Sequence, residues 1–164
     1  MVTVVGLGRA GLPLAVQYAE GGHRVCGVDI DPRVVDRINR SMTPDPEEAH
    51  LAERLAAVVG TGRLTATTDT SAAVAGSDAV VVVVPLTVDG NGMADFRALD
   101  AATVAIGRGL HPDTLVSYET APVGTTRERW KPLLEQVSGL REGEDFSILE
   151  ADLRPHLQGA VFVM

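Results

Sequence analysis

The 164-residue sequence is poor in several residue types, and each shortage excludes a class of protein. Its single cysteine, Cys26, cannot form an internal disulfide, which suits a reducing compartment such as the cytoplasm. Aromatic residues amount to 4%, and 14 basic residues stand against 22 acidic ones, so we expect no nucleic-acid partner. The longest apolar run, residues 79–86, is far shorter than the roughly 20 residues that cross a bilayer. The N-terminus shows no signal-peptide pattern, and we expect no membrane partner either.

What the sequence does contain is a regular alternation of strand and helix patterns. Its hydrophobic residues, 45% of the total, can form the core of one domain. Short apolar or β-branched runs predict strands at residues 2–5, 24–28, 64–67, 79–84, 115–118 and 146–149. Apolar residues at helical spacing follow all but the last of these runs. The pattern predicts an α/β fold, a Rossmann-type doubly wound parallel sheet of about six strands with helices on both faces and the run 79–84 at its centre. We assign residues 1–150 to this domain and residues 151–164 to a divergent or truncated C-terminal tail.

Several helix ends carry local signals. Residues 45–48, Asp-Pro-Glu-Glu, have the pattern of a capped helix start, and Asp95 is expected to cap a later helix. Residues 125–128, Thr-Thr-Arg-Glu, predict a capping box for the last helix. Pro132 should break that helix into two pieces or kink it, because proline has no N–H to donate.

A glycine-rich loop follows the first strand pattern and opens the first helix. This glycine loop (residues 6–11) consists of Gly6, Leu7, Gly8, Arg9, Ala10 and Gly11. Gly6 permits a tight turn, Gly8 lets a pyrophosphate approach the backbone, and Gly11 lets the helix pack close to the strand. The N–H groups of the helix N-terminus would then face the phosphates. We therefore predict a dinucleotide-binding site made by all of these residues; the alternative is a plain strand–helix turn.

Asp29 stands at the end of the second strand pattern, 18 residues after Gly11. A carboxylate at this spacing can accept hydrogen bonds from both hydroxyls of the adenosine ribose. A 2′-phosphate there would meet a like charge, so the predicted cofactor is NAD rather than NADP. Arg33 is a further candidate cofactor-binding residue that could offset this preference, and the alternative is that it is a solvated helix residue.

Longer stretches resemble the UDP-glucose/GDP-mannose dehydrogenase family. They are residues 4–15 with the glycine loop followed by Leu-Pro-Leu, residues 21–31, 83–85, 114–116 and 122–126. Residues 84–89 are most similar to the UDP-N-acetylmannosamine dehydrogenase-like branch. The resemblance implies that the glycine loop and Asp29 hold NAD and that Pro85 and Leu86 line the nicotinamide side. It also implies that Thr120 lies near the reacting centre, as a cofactor-binding and catalytic candidate.

The resemblance also bears on activity. Members of that family oxidise C6 of a nucleotide sugar to a carboxylate with NAD, using a cysteine and a lysine from later domains. This chain stops before them, and the family's Ser-Pro-Glu-Arg segment is missing after Phe146. Cys26, in the middle of a strand pattern, is expected to be a core residue and not the nucleophile. The resemblance thus implies the NAD-binding domain of a nucleotide-sugar 6-dehydrogenase, incomplete as a catalyst alone. The alternatives are a non-catalytic NAD-binding or regulatory partner module and, less well matched, a β-hydroxyacid dehydrogenase.

Partners and ligands other than NAD can also be predicted. The histidines show no metal-ligand spacing, so we expect no metal site. A nucleotide sugar is expected to bind only if the missing domains are supplied. Without those domains, apolar surface near residues 146–149 and 161–164 should be exposed, so we predict a homodimer or association with a full-length dehydrogenase.

Overall fold

The computed structural model describes residues 1–43 and 49–149. Its main sheet contains strands β1 (Val2–Val5), β2 (Val25–Val28), β3 (Leu64–Thr67), β4 (Ala79–Val82), β7 (Leu115–Tyr118) and β8 (Ser147–Leu149). The α-helices are α1 (Gly11–Glu20), α2 (Pro32–Asn39), α3 (Ala49–Gly60), α4 (Thr70–Ala75), α5 (Arg97–Gly109) and α6 (Lys131–Ser138). A small antiparallel hairpin, β5 (Thr87–Val88) and β6 (Ala94–Asp95), precedes α5.

The sheet has six strands in the order β3-β2-β1-β4-β7-β8, and all its neighbouring strands are parallel. This confirms the predicted doubly wound fold. The run 79–84 forms the central strand β4, which ends at Val82. The direction of winding reverses between β1 and β4, and such reversal points are where open α/β sheets bind ligands.

Helices cover both faces of the sheet because its strands are apolar on both sides. On one face α1, α2 and α3 pack on β1, β2 and β3, around a core that includes Val4, Leu12, Val16, Leu55 and Leu64. On the other face α4, α5 and α6 pack on a second core that includes Val5, Val82, Ile106, Val116 and Leu134. The apolar residues at helical spacing in α1, α3 and α5 belong to these two cores.

Within residues 1–43 and 49–149, helices cover the α1 face of the sheet over part of its width only. Among the described residues, the core on this face contains no side chain from β7 or β8. Side chains alternate along a strand, and Val116 and Tyr118 point to the α5 side, so Leu115 points to the α1 side. Leu115 and Leu149 are half-buried there and Ser147 is exposed, and we call this region the open half-face (Leu115, Ser147 and Leu149).

The expectation that residues 146–149 expose apolar surface is wrong for Phe146, which is 2% exposed. The loop before β8 folds back on itself, with the Gly143 N–H donating to the Phe146 carbonyl, and the phenyl ring enters the α5-side core. Ile148 packs beside it. Residues 161–164, and the predicted cap at residues 45–48, lie outside the described residues.

The start of the last helix differs from the predicted capping box. Thr125 has helical dihedral angles and its side chain makes no capping hydrogen bond. Residues Thr126–Trp130 instead form a π-helical turn in which the Lys131 N–H donates to the Thr126 carbonyl. Pro132 explains this, because its ring cannot donate to the preceding turn and clashes with the carbonyl four residues earlier. The predicted division into two pieces is confirmed, and Gly139 ends α6 in the left-handed conformation.

Two features at the start of α5 were not fully predicted. The hairpin was not predicted from the sequence, because strands of two residues have no detectable periodicity. The Asp89 carboxylate stabilises the turn of this hairpin by accepting from the Asn91 and Met93 N–H groups. Asp95 lies in β6, one residue before the N-cap Phe96, and not at the N-cap itself. Its carboxylate nevertheless accepts from the Arg97 N–H at 3.1 Å and so helps to satisfy the first turn of α5.

Aromatic residues join α6 to the sheet. Trp130 is fully buried and stacks on Tyr118 with ring centroids 4.3 Å apart. The Tyr118 hydroxyl lies 2.8 Å from the Thr103 hydroxyl, which donates to the Leu99 carbonyl at 2.7 Å. Burial raises the pKa of the Tyr118 phenol. In the described part of the chain, no helix is long and apolar enough to cross a membrane, and no group of three or more acidic, histidine or cysteine side chains could hold a metal ion.

Two helical glycines provide a matched test of packing. A Cβ at Gly107 would lie 2.9 Å from Val137 Cβ, where α5 meets α6, whereas a Cβ at Gly60 would meet nothing within 4 Å. We expect Gly107→Ala to lower the free energy of unfolding by about 1–2 kcal/mol through overpacking. Gly60→Ala should raise it by up to about 1 kcal/mol through helix propensity. Urea unfolding measures both, and equal stability of the two variants would contradict the close helix contact.

The Tyr118 hydroxyl provides a test at alkaline pH. Above about pH 10 the phenol ionises in the unfolded chain, whereas burial keeps it neutral in the folded one, so the free energy of unfolding should fall as pH rises. Tyr118→Phe should lower stability at pH 7 by about 1 kcal/mol and reduce its loss between pH 9 and pH 11. Denaturant titrations across that range check this, with the half-buried Tyr18, changed to Phe, as the weaker comparison. An unaltered pH dependence in Tyr118→Phe would refute it.

Candidate dinucleotide site

The glycine loop lies at the carboxyl edge of the sheet, beside the point where the strand order reverses. It connects the end of β1 to the start of α1, and β4 ends next to it. The Gly6 N–H donates to the Val28 carbonyl at 2.8 Å, and the Val83 N–H donates to the Val5 carbonyl at 2.8 Å. The loop is therefore fixed between the ends of three strands.

The three glycines differ in what surrounds them. Gly6 has φ +96°, and a Cβ there would lie 2.9 Å from the Val83 carbonyl oxygen. A Cβ at Gly11 would lie 1.7 Å from the Gly6 carbonyl oxygen, so any side chain would push α1 away from β1. A Cβ at Gly8 would meet no protein atom within 4 Å. The space in front of Gly8 is open, whereas Gly6 and Gly11 are glycines because the protein itself fills the space beside them.

The loop also carries unused backbone donors. Among the described residues, no acceptor is hydrogen-bonded to the N–H groups of Gly8, Arg9, Ala10 or Gly11. The Leu12 N–H, in contrast, donates to the Gly8 carbonyl. Gly8, Arg9 and Ala10 are exposed, and the first turn of α1 contains no acidic residue. Free N–H groups at the positive end of a ten-residue helix are suited to bind an anion such as a phosphate.

Asp29 lies immediately after β2, and its carboxylate is hydrogen-bonded to the glycine loop. Its Oδ2 accepts from the Leu7 N–H at 3.1 Å, and its Oδ1 accepts from the Asp31 N–H at 3.0 Å. The Leu7 side chain is buried in the core, against the position that a Cβ of Gly27 would occupy. Leu7 can therefore offer only backbone atoms to a ligand. The hydrogen bond between Asp29 and Leu7 was not predicted. The one related signal in the sequence is the small residue Gly27, which leaves room for the Leu7 side chain.

Arg33 lies on the first turn of α2, close in sequence to Asp29. Its guanidinium forms a two-point contact with Asp31, Nε to Oδ1 at 3.0 Å and Nη2 to Oδ2 at 2.9 Å. Hydrogen bonds from the Arg33 guanidinium and from its N–H lower the pKa of the Asp31 carboxyl. The Arg33 side chain remains 82% exposed. Ile30, between the two aspartates, is 92% exposed, a large apolar side chain at this edge that sequence reasoning did not select.

The remaining predicted site residues lie on the loops after β4 and β7. Pro85 is exposed and Leu86 is half-buried. The exposed Thr120 donates its hydroxyl to the Val84 carbonyl at 2.9 Å and thereby joins the two loops. The structure thus brings all predicted cofactor-site residues to one edge of the sheet.

Cys26 lies elsewhere, within β2. It is half-buried against the α5-side core, and burial raises the pKa of its thiol. A thiol with a raised pKa is a poor nucleophile at neutral pH, which agrees with the expectation of a core residue.

Comparison with known proteins identifies the family to which the sequence is similar. Residues 1–153 match the model of the UDP-glucose/GDP-mannose dehydrogenase family, NAD binding domain. The UDP-N-acetyl-D-mannosamine dehydrogenase of Pyrococcus horikoshii is 34% identical over 167 residues, which cover 98% of this chain and 38% of that protein. The GDP-mannose 6-dehydrogenase of Azotobacter vinelandii is 32% identical over 151 residues, which cover 90% of this chain and 34% of that protein.

A solved structure of a member of this family has a similar fold over most of this chain. The crystal structure of a ternary complex of GDP-mannose dehydrogenase from Pseudomonas aeruginosa superposes with a TM-score of 0.85 at 30% identity, covering 90% of this chain and 34% of that one. The chain spans little more than a third of the length of these relatives. The reversal point, the glycine loop with its free N–H groups and the family match over nearly the whole chain lead to one conclusion: the chain belongs to the UDP-glucose/GDP-mannose dehydrogenase family, as the family's NAD-binding domain.

Proposed function

We propose that the chain binds NAD across the glycine loop and supplies the cofactor site of a nucleotide-sugar 6-dehydrogenase. The observation that carries this proposal is the set of unpaired N–H groups at Gly8–Gly11, at the start of α1, with open space in front of Gly8 and the Asp29 carboxylate bound to the neighbouring Leu7 N–H. These residues fit a dinucleotide because they combine donors for a pyrophosphate with an acceptor for ribose hydroxyls at adjacent strand ends.

Each site residue has a role in this proposal. The N–H groups of Gly8, Arg9, Ala10 and Gly11 bind the pyrophosphate, while Gly6 and Leu7 hold the turn that presents them. Asp29 accepts from the adenosine ribose hydroxyls with the lone pairs that its two backbone bonds leave free.

The nicotinamide end would lie across the loops that follow β4 and β7. Pro85 and Leu86 line it, and Thr120 approaches the reacting centre. The Thr120 hydroxyl donates a hydrogen bond to the Val84 carbonyl. In this geometry it can therefore offer a ligand only an acceptor lone pair. We assign it a positioning rather than an acid–base role. NAD, when bound, supplies the hydride acceptor.

Asp29 should make the site prefer NAD to NADP, because a 2′-phosphate would meet its negative charge. Arg33 could bind that phosphate only by leaving Asp31, with which it forms a charge-assisted two-point contact. We therefore place Arg33 at the adenosine end of the site as a contact for the cofactor rather than as a phosphate-selecting residue.

The nucleotide-sugar substrate is proposed from the relatives, whose names are those of UDP-N-acetyl-D-mannosamine and GDP-mannose dehydrogenases. The chain spans 38% and 34% of their lengths. Residues that bind and oxidise the sugar would then come from the remaining length of such a protein. On its own, the chain is expected to bind NAD without oxidising a sugar, in the cytoplasm where NAD and a reduced Cys26 are both present.

The open half-face favours an association with a second copy or a full-length dehydrogenase. Leu115 and Leu149 are only half-buried there, and no helix among the described residues packs on β7 and β8 from that side. Parallel sheets are nearly always covered on both faces, so this region is the natural place for contact with another chain.

Gly8→Ala tests the cofactor site. The added Cβ meets no protein atom within 4 Å, so the variant should fold with a stability within about 0.5 kcal/mol of the parent. It occupies the space through which the pyrophosphate approaches, so affinity for NAD, measured by titration calorimetry, should fall at least about tenfold.

Gly11→Ala is the contrasting control. Its Cβ would lie 1.7 Å from the Gly6 carbonyl oxygen, so this variant should lose stability as well as NAD affinity. A folded parent protein that shows no heat of binding at millimolar NAD would remove the proposal. So would a Gly8→Ala protein that binds NAD as tightly as the parent.

Leu115→Glu tests the association. A carboxylate on the open half-face should convert a dimer into a monomer in light scattering at high protein concentration, because an unpaired charge is costly to bury. Val123→Glu, at an exposed apolar residue on another loop, should leave the dimer intact. A parent protein that is monomeric at all concentrations would refute self-association.

A further inference from the structure

Asp29 contacts the glycine loop before any ligand arrives. Its Oδ2 accepts from the Leu7 N–H at 3.1 Å, across 22 residues of sequence, and its Oδ1 accepts from the Asp31 N–H at 3.0 Å. Each oxygen of the half-buried carboxylate thus accepts from one backbone N–H, one in the glycine loop and the other in the loop after β2. A carboxylate that only bound the ribose hydroxyls would not require the hydrogen bond to Leu7.

The bond to Leu7 divides the loop into two parts. On its N-terminal side, the Gly6 N–H is bound by the Val28 carbonyl and the Leu7 N–H by Asp29. On its C-terminal side, the N–H groups of Gly8, Arg9, Ala10 and Gly11 have no acceptor among the described residues. The transition from paired to free donors falls at Leu7, whose side chain is anchored in the core. Asp29 thereby fixes the last paired N–H before the free ones begin.

We propose that Asp29 is a positioning residue for the phosphates as well as a ligand for the ribose. By holding the Leu7 N–H, it keeps the following free N–H groups aimed at one point in space before the dinucleotide binds. This inference rests on the proposed function, because it concerns the same site. It assigns to one carboxylate the arrangement of the loop in addition to the recognition of the sugar.

The two roles of Asp29 predict changes of opposite sign for a ligand that has phosphates but lacks ribose hydroxyls. If Asp29 only grips the ribose, then removing its negative charge should leave the affinity of such a ligand unchanged or raise it, because a repulsion of the phosphates is lost. If Asp29 holds the loop, the affinity should fall, because the N–H groups are no longer arranged in advance. A suitable probe is 2′,3′-dideoxyadenosine 5′-diphosphate.

The experiment uses the full chain. Titration calorimetry compares NAD and the dideoxy probe on the parent, on Asp29→Ala and on Asp36→Asn, which removes the same charge from α2 without touching the loop. We expect Asp29→Ala to weaken binding of the probe about tenfold, because the loop must then be ordered when the probe binds. Asp36→Asn should leave its affinity within about twofold of the parent value.

Hydrogen exchange by NMR on the cofactor-free parent gives an independent readout that needs no variant. The Leu7 amide should show a protection factor at least about tenfold above that of the Gly8 amide, and the difference should vanish in Asp29→Ala. A Leu7 amide that exchanges as freely as that of Gly8 would overturn the inference. So would unchanged or tighter binding of the probe by Asp29→Ala while NAD binding weakens, and in that case the proposed function would stand. A parent protein that binds neither NAD nor the probe would overturn the proposed function itself.

Discussion

The close approach of α1 to the end of β1 is the constraint on which the rest of the site depends. With the position of a Gly11 Cβ 1.7 Å from the Gly6 carbonyl oxygen, the first turn of the helix directly abuts the strand. This contact brings the helix N-terminus to the carboxyl edge of the sheet, where β1 and β4 part. It leaves a short exposed stretch, Gly8–Ala10, whose backbone N–H groups have no acceptor among the described residues. The proposed binding of an anion there depends on this backbone geometry, which a side chain at Gly6 or Gly11 would disturb.

The two faces of the sheet are not equivalent. On the α5 side, helices and the stacked pair Tyr118 and Trp130 complete the core as far as β8. On the α1 side, the helices stop short of β7 in the described part of the chain. This asymmetry agrees with the length comparison, in which the chain matches about a third of its relatives. The domain contains the elements of the proposed cofactor site, while no helix among the described residues covers β7 and β8 on the α1 side.

Much of this architecture could be predicted from the sequence because its signals are local and periodic. Buried parallel strands such as β1 and β4 appear as short β-branched runs, and Pro132 and Gly139 mark where helices change or end. The parallel sheet and its central run 79–84 followed from the alternation of strand and helix patterns, whereas the order of the other strands was not predicted. The glycine loop could be interpreted residue by residue, because a Cβ would meet different surroundings at each of its three glycines.

What escaped prediction depends on contacts between distant residues. The bond from Leu7 to Asp29 and the donation from Thr120 to the Val84 carbonyl join segments that no pattern in the sequence connects. The capping box at residues 125–128 failed because a steric effect of Pro132, further along the chain, determined the first turn instead. Phe146 is buried for a similar reason, since the loop that precedes it folds back over the edge of the sheet.

The burial of the single tryptophan has a practical consequence for spectroscopy. Trp130 is fully buried and stacks on Tyr118 in the α5-side core, whereas the glycine loop contributes Leu7 to the core on the other face. Its emission is therefore a report on the junction of α6 with the sheet and not on occupancy of the cofactor crevice. Fluorescence can follow loss of the packed interior in this chain, while events at the nucleotide edge need a readout that does not depend on Trp130.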